Sequence, residues 1–177
     1  MGKASRDKGK RGERELAAEL TALGLPARRG QQYSGASGDA DVVGLPGVHI
    51  ECKRVESLRL ADALDQAERD ARPGELPVVM HRRNGRLWVA VMRYDEFARM
   101  SSPWPPPWIA YTLRSGGKLA LYDEMEGASL ALRPGLVPAL DFVRAGESGA
   151  ELHVTAMWLR DWAKAYRKWQ GMEGERV

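Results

Sequence analysis

The residues of this chain that could carry out chemistry are concentrated in one short stretch. Asp41 opens a short apolar run, a turn follows, and the next apolar segment carries Glu51 and Lys53 with one residue between them. Residues two apart in a strand share a face, so Glu51 and Lys53 should point one way while Ile50 and Cys52 point into a core. Pairing of the two segments as a hairpin would bring Asp41 close to Glu51. Two carboxylates and an ammonium group at a sheet end suit a divalent cation with a phosphate beside it.

These side chains predict hydrolysis of a phosphodiester. A bound Mg²⁺ or Mn²⁺ offsets the negative charge of the phosphodiester and lowers the pKa of a bound water. Asp41 and Glu51 supply hard oxygen ligands, and the backbone carbonyl of Cys52 could supply another. Lys53 would orient the water or stabilise the charge that develops on phosphorus. His49 shares their face and either contacts phosphate or is an ordinary polar residue at the strand start. The alternative for the whole group is a surface Glu–Lys pair on a strand.

Two helices could add polar groups to this site. Glu13 extends the apolar stripe of a helix predicted from about Gly12 to Leu23, and an inward carboxylate is costly without a partner. Glu13 is therefore a candidate to complete the metal shell, although an acid in a first turn is also favoured by the helix dipole. Gln66 lies on the flank of a helix predicted over residues 58–71, from which it could hydrogen-bond Lys53 or the water.

The order of elements in residues 1–100 predicts an α/β domain. A basic, flexible arm over residues 1–14 precedes the first helix, and two strands and a second helix follow. Residues 77–81 then read as a strand, Asn84-Gly85 as a hairpin turn, and residues 87–92 as the returning strand. Helix, strands, helix, strand and strand in this order are typical of a mixed central sheet flanked by helices.

Residues 101–177 are predicted to form an extension of this core. Residues 101–108 are rich in Pro and Trp and indicate a stiff connector. Residues 109–177 are predicted to be an α/β segment for dimerisation or DNA binding. Parts of it match the earlier sequence at a shift of 61 positions, which indicates a degenerate repeat of the strand–helix–hairpin unit or a chance similarity. The aromatic side chains of the last helix favour docking on a core or a subunit interface over stacking on unpaired DNA.

Composition favours a polyanionic partner. The chain has 177 residues, 44% of them hydrophobic, and a net charge of +3, with the basic excess in residues 1–100. One cysteine excludes an internal disulfide and favours a reducing cytoplasm, and no apolar run approaches membrane-spanning length. The alternative is a solvated surface, which is the favoured interpretation for any single arginine. The residues predicted to contact DNA phosphates are Lys8, Lys10, Arg11, Arg28, Arg29, Arg82, Arg83 and Arg86.

Taken together, these motifs resemble a known family. The segments Lys10–Leu16, Ser34-Gly35, Asp39–Gly44 and Ile50–Lys53 look like those of the archaeal-type Holliday junction resolvases and their phage relatives. These enzymes belong to the PD-(D/E)xK nuclease superfamily. The resemblance covers roughly residues 8–100, and the helix start Gly-x-x-Glu-Arg-Glu-Leu makes it more specific than Glu-x-Lys alone.

The resemblance implies a restriction-endonuclease-like core, a homodimer, and Mg²⁺-dependent DNA hydrolysis in a prokaryotic or phage-infected cell. A loop serine before the aspartate has a role in the resolvases, and Ser34 or Ser37 could match it. Residues 101–177 have no counterpart, which puts the usual dimer mode and junction specificity in doubt. A repair or restriction-type nuclease and a non-catalytic DNA-binding protein on the same core stay open as alternatives. The residues to which the resemblance gives metal or catalytic roles are Glu13, Asp41, Glu51 and Lys53.

Overall fold

A computed structural model describes residues 3–30, 40–101, 109–113, 119–122, 143–144 and 152–172. The helices are α1 (Lys3–Ala22), α2 (Leu60–Asp70), α3 (Tyr94–Ser101) and α4 (Leu159–Trp169). The strands are β1 (Arg28–Arg29), β2 (Val42–Val43), β3 (Val48–Lys53), β4 (Leu58–Arg59), β5 (Leu76–His81), β6 (Val89–Arg93), β7 (Ile109–Leu113), β8 (Leu119–Tyr122), β9 (Val143–Arg144) and β10 (Leu152–Trp158).

The strands build a mixed, open sheet, which confirms the predicted α/β class. Its order is β1-β2-β3-β5-β6-β10-β7-β8, and β4 pairs separately with β9. β3 and β5 run parallel because α2 carries the chain back between them, whereas the other neighbours in the large sheet are antiparallel. In the described part of the chain, no helix is long and apolar enough to cross a lipid bilayer.

Both faces of the sheet are covered, so its central strands are buried on each side. Val78 and Met80 of β5 pack into a core shared with α1, α3 and α4. Val79 of β5 and Val91 of β6 face the opposite way, into a second core under α2. Helices on both faces and a sheet between them therefore form three layers around the strand β3 that carries Glu51 and Lys53.

The prediction of a flexible basic arm was wrong, because α1 already begins at Lys3. The arm is rich in Lys and Arg, which are good helix formers, and Gly9 and Gly12 do not interrupt the helix. Gly12 is buried against Arg54, where a Cβ atom would lie 2.9 Å from the Cβ of Arg54. That glycine therefore lets the helix approach the end of β3 closely.

Two tight turns fix the strands around the site. Gly44 has a φ of 102° and lies against the carbonyl of Pro26, so a side chain there would meet both strain and backbone. The predicted Asn84-Gly85 turn is confirmed: Gly85 has a φ of 68°, and β5 and β6 pair antiparallel across it. The first turn sets β2 beside β3, and the second closes the centre of the sheet.

The C-terminal part of the chain continues the same sheet. β10 pairs with β6 along five positions, and α4 packs on the core that also contains α1 and α3. Trp162 and Tyr166 of α4 are buried and stacked, with their ring centroids 5.3 Å apart, so the aromatic residues dock on the core as the sequence favoured.

The predicted connector and repeat fall largely outside the described residues. β7 lies at the position that the 61-residue shift assigns to β3, but the counterparts of most of α2 and of β5 belong to the undescribed part of the chain. Residues 102–108 of the connector lie there too. The repeat and the domain boundaries therefore stay predictions.

Candidate active site

The pairing of β2 with β3 places the two central carboxylates together. Val42 lies opposite Ile50 in the antiparallel pair, and this register sets Asp41 opposite Glu51 on the face that α2 covers. The Asp41 N–H donates to the Ile50 carbonyl at 3.0 Å. The hairpin proximity that the sequence predicted is thus confirmed, and it arises beside β2, a strand of only two residues between β1 and β3.

The Asp41 carboxylate sits in a confined and negatively charged environment. Its Oδ2 accepts a hydrogen bond from the Cys52 N–H at 2.8 Å. Burial is the largest cause that raises the pKa of Asp41, to about 7, and the charges of Glu51 and Glu13 raise it further against the opposing effects of the Cys52 N–H and Lys53. Three carboxylates that act on each other in this way favour a positive charge between them.

Lys53 links the strand to α2. Its Nζ donates to Glu51 Oε1 at 2.5 Å and to Gln66 Oε1 at 2.9 Å. Glu51 is only 6% exposed, and Lys53 is a cation in direct contact with its buried carboxylate. Gln66 reaches the lysine because α2 buries Leu64 and Ala67 against the sheet and turns its flank toward β3. The predicted hydrogen bond between Gln66 and Lys53 is therefore present.

Glu13 comes to the site from the opposite face of the sheet. The apolar stripe of α1 is buried in the core and turns Glu13 inward, where its Oε2 lies 2.5 Å from Arg29 Nε. Arg29 was predicted to bind DNA phosphate, but its side chain pairs with Glu13 here, and its strand position is opposite Val42. Sequence reasoning missed this pairing, although the cost of an inward carboxylate was a signal that a cation should lie nearby.

The oxygen donors fit a hard divalent cation, but they are not gathered around one. Among the described residues, no three His, Cys, Asp or Glu side chains form a group that could hold a metal ion. Glu13 and Glu51 instead point at Arg29 and Lys53. Burial and the neighbouring carboxylates raise the pKa of the Cys52 thiol, so this side chain stays neutral and is no ligand for a hard cation.

The backbone of Cys52 provides a further oxygen. Its N–H is directed at Asp41, and in a strand the N–H and C=O of one residue point to the same side. The Cys52 carbonyl therefore faces the edge where Asp41 lies, as the predicted role as a metal ligand requires.

The basic residues predicted to bind DNA lie in three places. Lys8, Lys10 and Arg11 are exposed on α1, and Arg28 is exposed on β1. Around the β5–β6 hairpin, Arg82 pairs with Glu19 and lies over the ring of Trp88, Arg83 lies 3.8 Å from Glu56, and Arg86 is exposed. Ser34 and Ser37 fall outside the described residues.

Comparison with known proteins does not assign the chain to a family. A scan of protein-family models, a search of curated proteins and a search of solved structures each found no match. The geometry around Asp41, Glu51 and Lys53 is therefore the main indication of function.

Proposed function

We propose that this protein is a metal-dependent DNA endonuclease with a restriction-endonuclease-like core, and that it selects branched DNA in the manner of a Holliday junction resolvase. The observation that carries the proposal is the pairing of Asp41 with Glu51 at a sheet edge, with Lys53 held between Glu51 and Gln66. A plain surface salt bridge does not account for this arrangement, because Glu51 is buried and Asp41 has a pKa raised to about 7.

Each residue of the site has a task in such a reaction. Asp41, Glu51 and the carbonyl of Cys52 would hold Mg²⁺ or Mn²⁺, with Glu13 as a further ligand or as the partner of a metal-bound water. The bound cation would supply charge neutralisation and a water of lowered pKa. Lys53 orients the attacking water and stabilises charge on the phosphate, and Gln66 fixes the direction of the lysine.

The basic surface of α1 supports DNA as the substrate. An open groove on α1 has a volume of about 410 Å³ and is lined by Lys10, Arg11 and Arg14 together with Asp7 and Glu15. α1 also carries Glu13, so a DNA backbone on this surface would lead toward the site. A homodimer that presents two such sites would suit symmetric cleavage of a junction.

Cleavage of three labelled DNAs tests the proposal. A four-way junction, a flap and a linear duplex of related sequence are incubated with the full chain in Mg²⁺, in Mn²⁺ and in EDTA. We expect metal-dependent, paired nicks in the junction. Cleavage of linear DNA at defined sequences would instead indicate the restriction-type nuclease, and binding without cleavage of any DNA would contradict the enzyme.

Lys53→Ala separates binding from catalysis. The variant should bind the junction normally and cleave it roughly 10²–10⁴ times more slowly, because the group that orients the water is lost. Lys164→Ala is the matched control, since Lys164 is exposed on α4. Normal cleavage by folded Lys53→Ala would overturn the role given to this lysine.

A further inference from the structure

A cleft opens beside the candidate active site, on the side where β3 begins. It lies between the β2–β3 turn and the loop from α2 to β5, and its volume is about 280 Å³. The residues that shape it are Val43, Leu45, Pro46, His49, Arg72 and Glu75. The register that pairs Asp41 with Glu51 also sets Val43 opposite His49, so the cleft continues the face that carries Glu51. His49 and Glu51 are two positions apart on β3, which is about 6.6 Å along the strand.

His49 is the unusual group in this cleft. The residue is 1% exposed, and neither of its ring nitrogens has a hydrogen-bond partner among the described residues. The nearest charged group is Glu75, whose Oε2 is 3.9 Å from His49 Nδ1. A buried polar ring without partners is costly, and a ligand that hydrogen-bonds it would remove that cost.

The chemistry of the cleft favours a nucleobase over a phosphate. Its walls are largely apolar, and its polar groups are a histidine that can both donate and accept, a carboxylate and an arginine. Glu75 would repel a phosphate but can accept hydrogen bonds from the ring or amino N–H groups of a base. The Arg72 guanidinium at the exposed margin can stack on an aromatic ring. Glu75 is held in place because it also accepts the Arg72 N–H at 2.9 Å.

We propose that this cleft, which we name the base cleft, receives one unpaired nucleobase of the DNA strand next to the phosphodiester to be cleaved. The inference rests on the proposed nuclease function and narrows its substrate to DNA with an unstacked nucleotide near the cut. Removing a base from the stack is least costly at branch points, bulges and damaged positions, so the base cleft gives a physical reason for selecting distorted DNA. His49 and Glu75 read the edge of the base, and Val43 and Leu45 contact its face.

Binding in EDTA tests the base cleft without any cleavage. The probe is a duplex with a single extrahelical 2-aminopurine, compared with the same duplex carrying an abasic residue at that position. We expect the full chain to bind the base-containing duplex about tenfold more tightly, equivalent to about 1.4 kcal/mol, and to change its fluorescence. Equal affinity for the two duplexes would overturn the inference.

Variants of cleft residues then test whether the preference for the base-containing duplex arises in the base cleft. His49→Leu should abolish the tenfold preference for the base-containing duplex. Val43→Phe should also abolish it, because the larger side chain fills the cleft from a half-buried position. With two variants, a folding defect in one of them still leaves the other as a test. Arg59→Ala is the control, because Arg59 is an exposed cation that pairs with Asp62. Preference retained in both folded cleft variants contradicts the assignment.

Cleavage of the same two duplexes in Mg²⁺ distinguishes the proposed base cleft from the proposed nuclease function. A protein that cuts both equally is a nuclease without a base cleft, which overturns this inference alone. A protein that prefers the unpaired base but cuts neither these duplexes nor the four-way junction supports the base cleft and overturns the nuclease.

Discussion

At the scale of single residues, the decisive feature is a carboxylate placed where it is difficult to ionise. Asp41 lies opposite Glu51 of the neighbouring strand and accepts a hydrogen bond from the Cys52 N–H. The charges of Glu51 and Glu13 both raise the pKa of Asp41. Burial and the charges of Glu51 and Glu13 thus disfavour the ionised form of this carboxylate. Lys53 and Arg29 compensate part of this charge from two faces of the sheet.

Asp41→Asn should make the metal-free protein more stable at high pH. The pKa of Asp41 is raised from 3.8 to about 7, so folding keeps its proton, and the stability that this gives is lost as the pH rises from about 4 through about 7. Asparagine carries no charge and can still accept the Cys52 N–H. We expect a gain of roughly 1–3 kcal/mol at pH 8 and a smaller gain at pH 5.

Urea unfolding in EDTA at the two pH values measures this difference. Asp62→Asn is the control, because Asp62 is an exposed carboxylate on α2 that pairs with Arg59. An Asp41→Asn protein that is less stable than wild type at pH 8 would show that the carboxylate is not strained.

At the scale of elements, α1 has two separate functions. Its apolar stripe packs on the sheet, with Leu16 and Leu20 fully buried, and this packing turns Glu13 inward. Its exposed face carries Lys8, Lys10 and Arg11. One helix therefore carries both the inward carboxylate and the exposed basic face to which the proposed nuclease gives a metal and a DNA backbone.

The two glycines of α1 should respond in opposite ways to alanine. Gly9→Ala meets nothing closer than 3.8 Å and should stabilise the protein by roughly 0.5–1 kcal/mol, because alanine favours a helix. Gly12→Ala places its Cβ 2.9 Å from the Cβ of Arg54 and should cost roughly 1–3 kcal/mol through overpacking. Urea unfolding of both variants compares them directly, and equal stabilities would contradict the close packing of α1 on β3.

The exposed face of α1 should account for part of the salt dependence of DNA binding. Replacing Lys10 and Arg11 together by alanine should weaken binding to every DNA sequence and reduce the slope of log K against log salt by about 2. The double variant Arg160→Ala, Lys164→Ala on α4 is the charge-matched control. An unchanged slope in the α1 variant would exclude this face as a phosphate contact.

At the scale of the whole molecule, the C-terminal strand and helix belong to the structural core. β10 covers the edge that β6 would otherwise expose, and α4 fills the face of the sheet beside α3. Tyr166 also donates a hydrogen bond to the Pro46 carbonyl at 3.0 Å, in the turn that sets β2 beside β3. α4 therefore supports the turn between β2 and β3, the two strands that bring Asp41 and Glu51 together.

Trp162→Ala should destabilise the protein by roughly 3–5 kcal/mol, because it removes a fully buried side chain and its stack with Tyr166. Trp169→Ala should cost less, since Trp169 is only partly buried. Thermal unfolding measures both, and the cleavage rate below the melting temperature should stay close to wild type in each. Equal stabilities of the Trp162→Ala and Trp169→Ala proteins would contradict the packing of α4 in the core.

Local patterns were sufficient to place most of the candidate site. Strand alternation determined that Glu51 and Lys53 share a face, and the short spacing after Asp41 determined that a hairpin would bring this residue to Glu51. Helical periodicity likewise turned Glu13 inward and Gln66 toward β3. Each of these relations spans few residues, so the geometry of one strand or one helix fixes it.

Only the tertiary structure decided the relations between distant segments. The sequence indicated a flexible basic arm and an arginine free to bind phosphate, whereas α1 extends through the arm, and packing of this helix on the sheet brings Glu13 to Arg29. On the opposite face, which α2 covers, His49 is buried with no hydrogen-bond partner for its ring among the described residues, and a cleft lies beside it. Such outcomes depend on which surfaces meet after folding, and the energies of burial and ion pairing at those contacts are not encoded in any local spacing.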